Sequence, residues 1–240
     1  MKTAIVFGAT SGIGKEISEL LLKDGYKVAI TGRRLKKLEA LKKQYSNQVY
    51  VAQNDIQKVD EVENVFNEII KEFTTIDLII QSSGVGHINP TLAWDKEEET
   101  IFTNVVGVTK LYDLSFNLFR KQGFGHLVGI TSIASIRGNR GAPAYFSSKA
   151  YQKAYLESLY MKTKTIKSNK VFITDIRPGF VDTAMALGEG IFWMVSLEKA
   201  AKQIYTAIKK KKRVAYISKR WSLIALFLKI APASLLKKMI

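Results

Sequence analysis

Thr3-Ala-Ile-Val-Phe-Gly8-Ala-Thr-Ser-Gly12-Ile-Gly14-Lys15 passes from a short apolar run, through a turn built on three glycines, into a segment with apolar residues at helical spacing. Residues Thr3–Phe7 predict a buried strand and Gly12–Lys23 a helix. A strand that enters a helix through glycines brings backbone N–H groups to one point, at the positive end of the helix dipole. The spacing is G-x-x-x-G-x-G rather than G-x-G-x-x-G, so it stands as either a phosphate-binding turn or a plain strand-to-helix turn.

Outward from this unit the alternation continues. Residues 27–31 predict a second strand, Leu35–Gln44 a helix, and 49–52 a third strand. Val59–Phe73 predicts a helix with Val62, Val65, Phe66, Ile69 and Ile70 on one face. Residues 76–80, 127–131 and 171–176 predict further strands, with long helices at 100–121 and 144–165 between them. Strands joined by helical crossovers require a parallel sheet with right-handed connections. The expected fold is therefore α/β: a Rossmann-like doubly wound parallel sheet of about seven strands with helices on both faces. One domain is expected over residues 1–218, with a substrate flap at 179–195 and an apolar, basic tail at 219–240. Turn-rich stretches at 89–91, 138–143 and 178–190 follow strands, at the edge where this architecture binds ligands.

Composition narrows the chemistry. With 240 residues, 47% of them hydrophobic, and only four prolines, the chain can bury a core and lacks the mark of disorder. The absence of cysteine excludes disulfides, thiolate nucleophiles and cysteine metal sites. His87 and His126 lack ligand spacing, so no protein metal site is expected. Strand pattern begins at once, without a basic and apolar leader, and a cytoplasmic location is expected. The net charge of +16 would attract anionic lipid or a phosphorylated cofactor, or serve solubility alone; with no recognised nucleic-acid module, no nucleic-acid partner is expected.

The glycine turn offers Gly8, Thr10, Ser11, Gly12, Ile13 and Gly14 as cofactor-binding positions. The second strand ends in Thr31-Gly32-Arg33-Arg34, where an acidic residue would hold a free ribose hydroxyl. Arg33 and Arg34 instead suit a 2′-phosphate, with Lys15 as a further cation, so NADP(H) is favoured over NAD(H). The alternative is that all three are solvated helix-end charges. Asp55 suits either an adenine amino group or a helix N-cap.

Ser132 lies thirteen residues before Tyr145, and Lys149 four after it. Residues four apart share a helix face, which sets an ammonium near a phenol. A nearby cation favours the phenolate, making the tyrosine an acid–base catalyst, while Ser132 can hold a substrate oxygen. Read structurally instead, Ser132 is a strand-end cap, Tyr145 a packed aromatic, and Asn104 a polar contact inside a helix.

The order of these elements resembles the short-chain dehydrogenase/reductase family. It rests on the glycine turn at 8–14, Asn104 in Thr-Asn-Val-Val-Gly, Ser132, Tyr145-Phe-Ser-Ser-Lys149 and Arg177-Pro178-Gly179. The resemblance covers roughly residues 3–185. It implies that Asn104 holds a water in a proton relay and that Lys149 also binds the nicotinamide ribose. It also implies that Pro178, Gly179 and Thr183 contact the cofactor, and that the two long helices pair in a homodimer or homotetramer. Gln81-Ser82-Ser83-Gly84 departs from the family's usual Asn-Asn-Ala-Gly. The implied activity is NADP(H)-dependent interconversion of a carbonyl and an alcohol on a small, lipophilic substrate. Alternatives are a 3-oxoacyl carrier-protein reductase and a non-catalytic, cofactor-sensing protein of the same fold.

Ile191, Phe192, Trp193 and Met194 would line the flap or pack on the core; His87 would face the pocket or lie exposed. No acidic residue follows Glu198. The apolar run at 221–228 is interrupted by Lys229 and Pro232, well short of the ~20 residues that span a bilayer. With Trp221 near its start and Leu235, Leu236 and Ile240 beyond, the tail suits the cytoplasmic membrane interface, or else a lid on its own site or on a partner.

Overall fold

A computed structural model describes residues 1–168, 170–185, 192–232, 234–235 and 237. Seven strands form one sheet: β1 (Thr3–Phe7), β2 (Lys27–Gly32), β3 (Val49–Gln53), β4 (Leu78–Gln81), β5 (Phe124–Ile130), β6 (Lys170–Pro178) and β7 (Val214–Ile217). Their spatial order is β3-β2-β1-β4-β5-β6-β7, and every pairing is parallel. The order reverses between β1 and β4, so the crevice outside their carboxyl ends is where a ligand belongs.

Both sheet faces are covered, and strand residues alternate between the two cores. Ala4 and Val6 join Ile17 and Leu21 of α1 (Gly12–Lys23), Leu38 of α2 (Leu35–Gln44) and Ile204 of α7 (Leu197–Lys209). Ile5 and Phe7 join Phe66 of α3 (Val59–Phe73), Leu111 of α5 (Val108–Gln122) and Leu156 of α6 (Pro143–Lys162). Burial on both sides is why the central strands read as unbroken apolar runs.

Two differences from the sequence expectation have local causes. The helix expected at 100–121 begins earlier, as α4 (Trp94–Ile101), and reaches α5 through a wider π-helical turn, Phe102–Gly107. A Cβ at Gly107 would lie 2.1 Å from the Ile56 carbonyl oxygen, so the helix passes the 54–56 loop closely. α5 stops at Gly123, whose φ of +80° suits glycine. The seventh strand, four residues between Arg213 and Ser218, carries too short a pattern to delimit from sequence. Beyond it, α8 (Trp221–Ile230) packs on the domain through Trp221 and Ala225. No described helix is long and apolar enough to cross a membrane. The flap residues 186–191, including Ile191, lie outside the described residues, as do Leu236 and Ile240 of the tail.

His126, on β5, is buried beside the Phe172 ring, its Nε2 2.7 Å from Thr174 Oγ1. Burial, with a smaller effect of Lys211, lowers its pKa from 6.5 to about 4. The unfolded chain therefore takes up this proton first, and stability that is fully present above pH 6.5 is lost as pH falls toward 4. The full loss is on the order of 3 kcal/mol. Urea unfolding of the wild type at pH 7 and pH ~4.5 should show a larger drop than His126→Gln does; equal drops would overturn the assignment.

Candidate active site

A cleft of about 960 Å³ opens at the carboxyl ends of β1, β4, β5 and β6. Gly8, Thr10, Ser11, Gly12 and Ile13 line it; Gly14 does not. The glycines serve different purposes. A Cβ at Gly8 would stand 2.6 Å from the Ser83 nitrogen, and one at Gly14 2.3 Å from the Gly8 carbonyl oxygen, so these two let the chain pack on itself. Gly12, at φ +55°, has only Thr183 Cγ2 at 3.7 Å, and it alone opens the loop toward the cleft. Ser11 precedes α1 without capping it through its side chain, which leaves the helix N-terminus available to an anion.

Arg34 reaches back over this loop, its Nη2 donating to Thr10 Oγ1 at 2.5 Å and to Ser11 Oγ at 2.6 Å. Arg33 also lines the cleft and lies 3.9 Å from Glu99, an exposed pair of little energetic weight. Lys15 is not at the cleft: it pairs with Glu19 one helical turn on, because its position on α1 points it along the surface. Asp55 lines the cleft and accepts from the Gln57 backbone N–H at 3.2 Å. It caps a turn ahead of α3, whose N-cap position is held by Lys58. Its neighbour Asn54 has a buried Nδ2 with no hydrogen-bond partner among the described residues. An open glycine, an uncapped helix end, two arginines and an orphaned amide fit a phosphorylated dinucleotide.

At the other end, Ser132, Tyr145 and Lys149 converge on the same cleft. Lys149 Nζ lies 5.9 Å from the Tyr145 ring centre and is held by the Ile130 carbonyl at 3.2 Å and Gln152 Oε1 at 3.1 Å. Burial lowers the lysine to about 8, opposed by the charge of Asp175. Asp175 is itself buried, paired with Arg177 at 2.6 Å. Tyr145 differs from the sequence expectation: loss of solvent pushes its phenol up, and the Ser132 hydroxyl only partly offsets this. Burial therefore favours the protonated phenol, so the site presents an acid. Ser132 also accepts from the Ala134 N–H at 3.1 Å, so its structural and chemical uses coexist.

Asn104 is buried in the π-helical turn. Its Oδ1 accepts from the Val85 N–H at 3.0 Å, and its Nδ2 donates to the Val85 carbonyl at 2.7 Å and Ser148 Oγ at 3.1 Å. Its backbone carbonyl accepts from Gln152 Nε2 at 2.7 Å. The Gln152 amide thus joins Asn104 to Lys149, occupying the carbonyl that the wider turn frees.

Gln152 was not singled out from sequence, because only the fold brings α6 against the turn. Gly86 was also missed: a Cβ there would lie 2.8 Å from Tyr145 Cδ2, so the ring rests on bare backbone. Ser82, Ser83 and Gly84 line the cleft where the family pattern differs, and Gln81 Nε2 braces them through the Ser83 carbonyl at 2.6 Å. His87 does face the cleft and lies 2.7 Å from Glu99 Oε2. Pro178, Gly179 and Thr183 line it too. Gly179 is required by packing, since a Cβ would stand 2.1 Å from the Trp221 indole.

A doubly wound sheet with a phenol, an ammonium and a hydroxyl gathered at a nucleotide-sized cleft defines an oxidoreductase. The chain belongs to the short chain dehydrogenase family, whose pattern matches residues 2–189. An uncharacterized oxidoreductase of Myxococcus xanthus is 32% identical over 189 residues, covering 77% of this chain and 74% of the relative. A 3-oxoacyl-[acyl-carrier-protein] reductase of Bos taurus is 26% identical, covering 77% of each. A short chain dehydrogenase from Burkholderia cenocepacia, solved in complex with NADP, superposes with a TM-score of 0.84 at 19% identity, covering 100% of this chain and 99% of that one. At that identity the superposition bears on the fold.

Gly86→Ala should displace the Tyr145 ring and lower kcat by roughly 10²-fold, the usual scale for a misplaced catalytic group. Thermal unfolding and NADPH binding should stay near wild type. Unchanged kcat would show that the ring does not depend on this contact.

Proposed function

We propose that the protein reduces the carbonyl of a small, lipophilic substrate to an alcohol with NADPH, and runs the reverse reaction with NADP. The observation that carries this is the convergence of Ser132, Tyr145 and Lys149 at one end of a cleft whose other end holds Arg34. When bound, the nicotinamide supplies or accepts the hydride.

The protein's own residues do the rest. Arg34, already braced by Thr10 and Ser11, would hold a 2′-phosphate beside Arg33, and the end of β2 offers no carboxylate to repel it. Ser132 donates to the substrate oxygen and orients it. Tyr145 is in its acid form at neutral pH, the state needed to give a proton to that oxygen as the alcohol forms. Lys149, with its pKa near 8, is largely an ammonium at neutral pH and stabilises the phenolate left behind. Gln152 holds the ammonium in position. The apolar part of the cleft wall, including Ile88, Phe146, Phe180 and Met185, favours an apolar substrate. Exposed Phe102, Val106 and Tyr151, near the junction of α4 and α5 and on α6, suit pairing between copies of the chain.

The Bos taurus relative and the basic surface favour a second reading, a substrate carried on an acidic carrier protein. A screen of NADPH oxidation with free ketones of increasing chain length, and with a carrier-linked 3-oxoacyl group, separates the two. Free ketones should turn over, with rates rising with chain length; activity on the carrier-linked group alone would select the second reading.

Tyr145→Phe should bind NADPH normally and lose about 10²–10⁴-fold in kcat, the scale of general acid catalysis. Near-normal turnover would remove Tyr145 from the chemistry. Arg34→Ala should raise the KM for NADPH by about 10- to 100-fold, the scale of a charge-assisted hydrogen bond, and leave that for NADH nearly unchanged. An equal rise for both coenzymes would show that Arg34 does not read the phosphate.

A further inference from the structure

Helix α8 is apolar on two sides. Its inner side is accounted for: Trp221 and Ala225 are buried, and the Trp221 ring lies 5.5 Å from Phe180, 5.1 Å from Phe192 and 6.3 Å from Trp193, centre to centre. Arg137 fastens the far end, donating to the carbonyls of Leu228, Lys229 and Ala231. The outer side of a surface helix is ordinarily polar. Here it carries Leu223 at 67% exposure, Leu226 at 58% and Ile230 at 74%, with Phe227 beside them. Their spacing of three and four residues places them along one stripe.

The stripe does not stand alone. Phe192, Trp193 and Met194 are also exposed; Phe192 and Trp193 meet Trp221 of α8, and the Arg220 guanidinium lies 5.6 Å from the Trp193 ring centre. Phe180 and Met185, at the same margin, line the cleft. Two exposed apolar segments joined through Trp221 beside a cleft mouth call for a partner, as single exposed leucines do not.

Charge selects that partner. Lys219 and Arg220 precede the stripe, Lys229 interrupts it and Lys237 follows it, and Arg137 stands on the facing loop. No acidic residue follows Glu198, and Asp182 is the one described carboxylate on the 179–185 segment. Two copies meeting face to face would set like charges against each other with little to pair them. Nucleic acid would leave the apolar stripe unpartnered. An anionic lipid surface answers both features, with tryptophan at the interface and a helix too short to cross.

We infer that α8 and residues 192–194 dock the cleft mouth onto an anionic bilayer. If the lipophilic-substrate reading above also holds, the substrate enters from the lipid; docking itself does not depend on that reading.

The test is flotation of the full chain with vesicles of phosphatidylglycerol and phosphatidylcholine, or of phosphatidylcholine alone. It compares the wild type with the double variant Leu226→Ser, Ile230→Ser, with light scattering for oligomeric state. The wild type should float with the anionic vesicles, and the variant should lose roughly tenfold or more in partitioning, since both apolar burial and charge contribute. NADPH binding and turnover of a short, water-soluble ketone should be unchanged in the variant, and these report on the catalytic assignment separately. Failure of the wild type to float, or equal flotation of the variant, would overturn the proposal. So would a wild-type oligomer that the variant dissociates while neither binds vesicles, since the face would then join copies of the chain.

Discussion

A buried ammonium organises this protein's reactive end. Lys149 Nζ is nearly removed from water and is held by one backbone carbonyl and one side-chain amide. Charge in such a place is costly unless its hydrogen bonds are met and a counter-charge lies within reach. Ile130 contributes the carbonyl from the end of β5, Gln152 the amide from α6, and Asp175 the charge from β6. Three elements must therefore arrive together before Lys149 can sit beside Tyr145. The π-helical turn belongs to the same set: its Asn104 carbonyl takes the other end of the Gln152 amide.

Close approach of backbone is the second constraint. Gly8 and Gly14 bring the first turn against the segment after β4 and against itself; Gly107 brings the α4–α5 junction against the 54–56 loop; Gly86 makes a floor for the Tyr145 ring. In each case the missing Cβ is replaced by another part of the protein, whereas at Gly12 the space opens to the cleft. Glycines that look like ligand contacts are thus mainly devices for building the walls that a ligand then meets.

The aromatic group Phe180, Phe192, Trp193 and Trp221 ties the cleft margin to α8. Gly179 admits the Trp221 indole at the end of β6, so the sheet edge, the flap and the tail share one contact. What covers α8 therefore bears directly on how a molecule reaches Tyr145.

The doubly wound fold, the glycine turn and the Ser132, Tyr145, Lys149 set were legible because each is a local pattern: a period of two or of 3.6, a glycine between strand and helix, a one-turn spacing. The α6 helix even begins with Pro143 in its first turn, where proline is favoured. The raised phenol, the bridging Gln152, the Gly86 floor, the outward turn of Lys15 and the Asn54 amide, without a partner among the described residues, were not legible. Each depends on burial or on a partner distant in sequence; Gln152 and Asn104 are 48 residues apart. By itself the sequence determined which elements form and which reactive groups the chain carries, since hydrogen bonding and periodicity act over a few residues. Only the tertiary structure decided which groups lose water and what they face, because desolvation depends on everything packed around them.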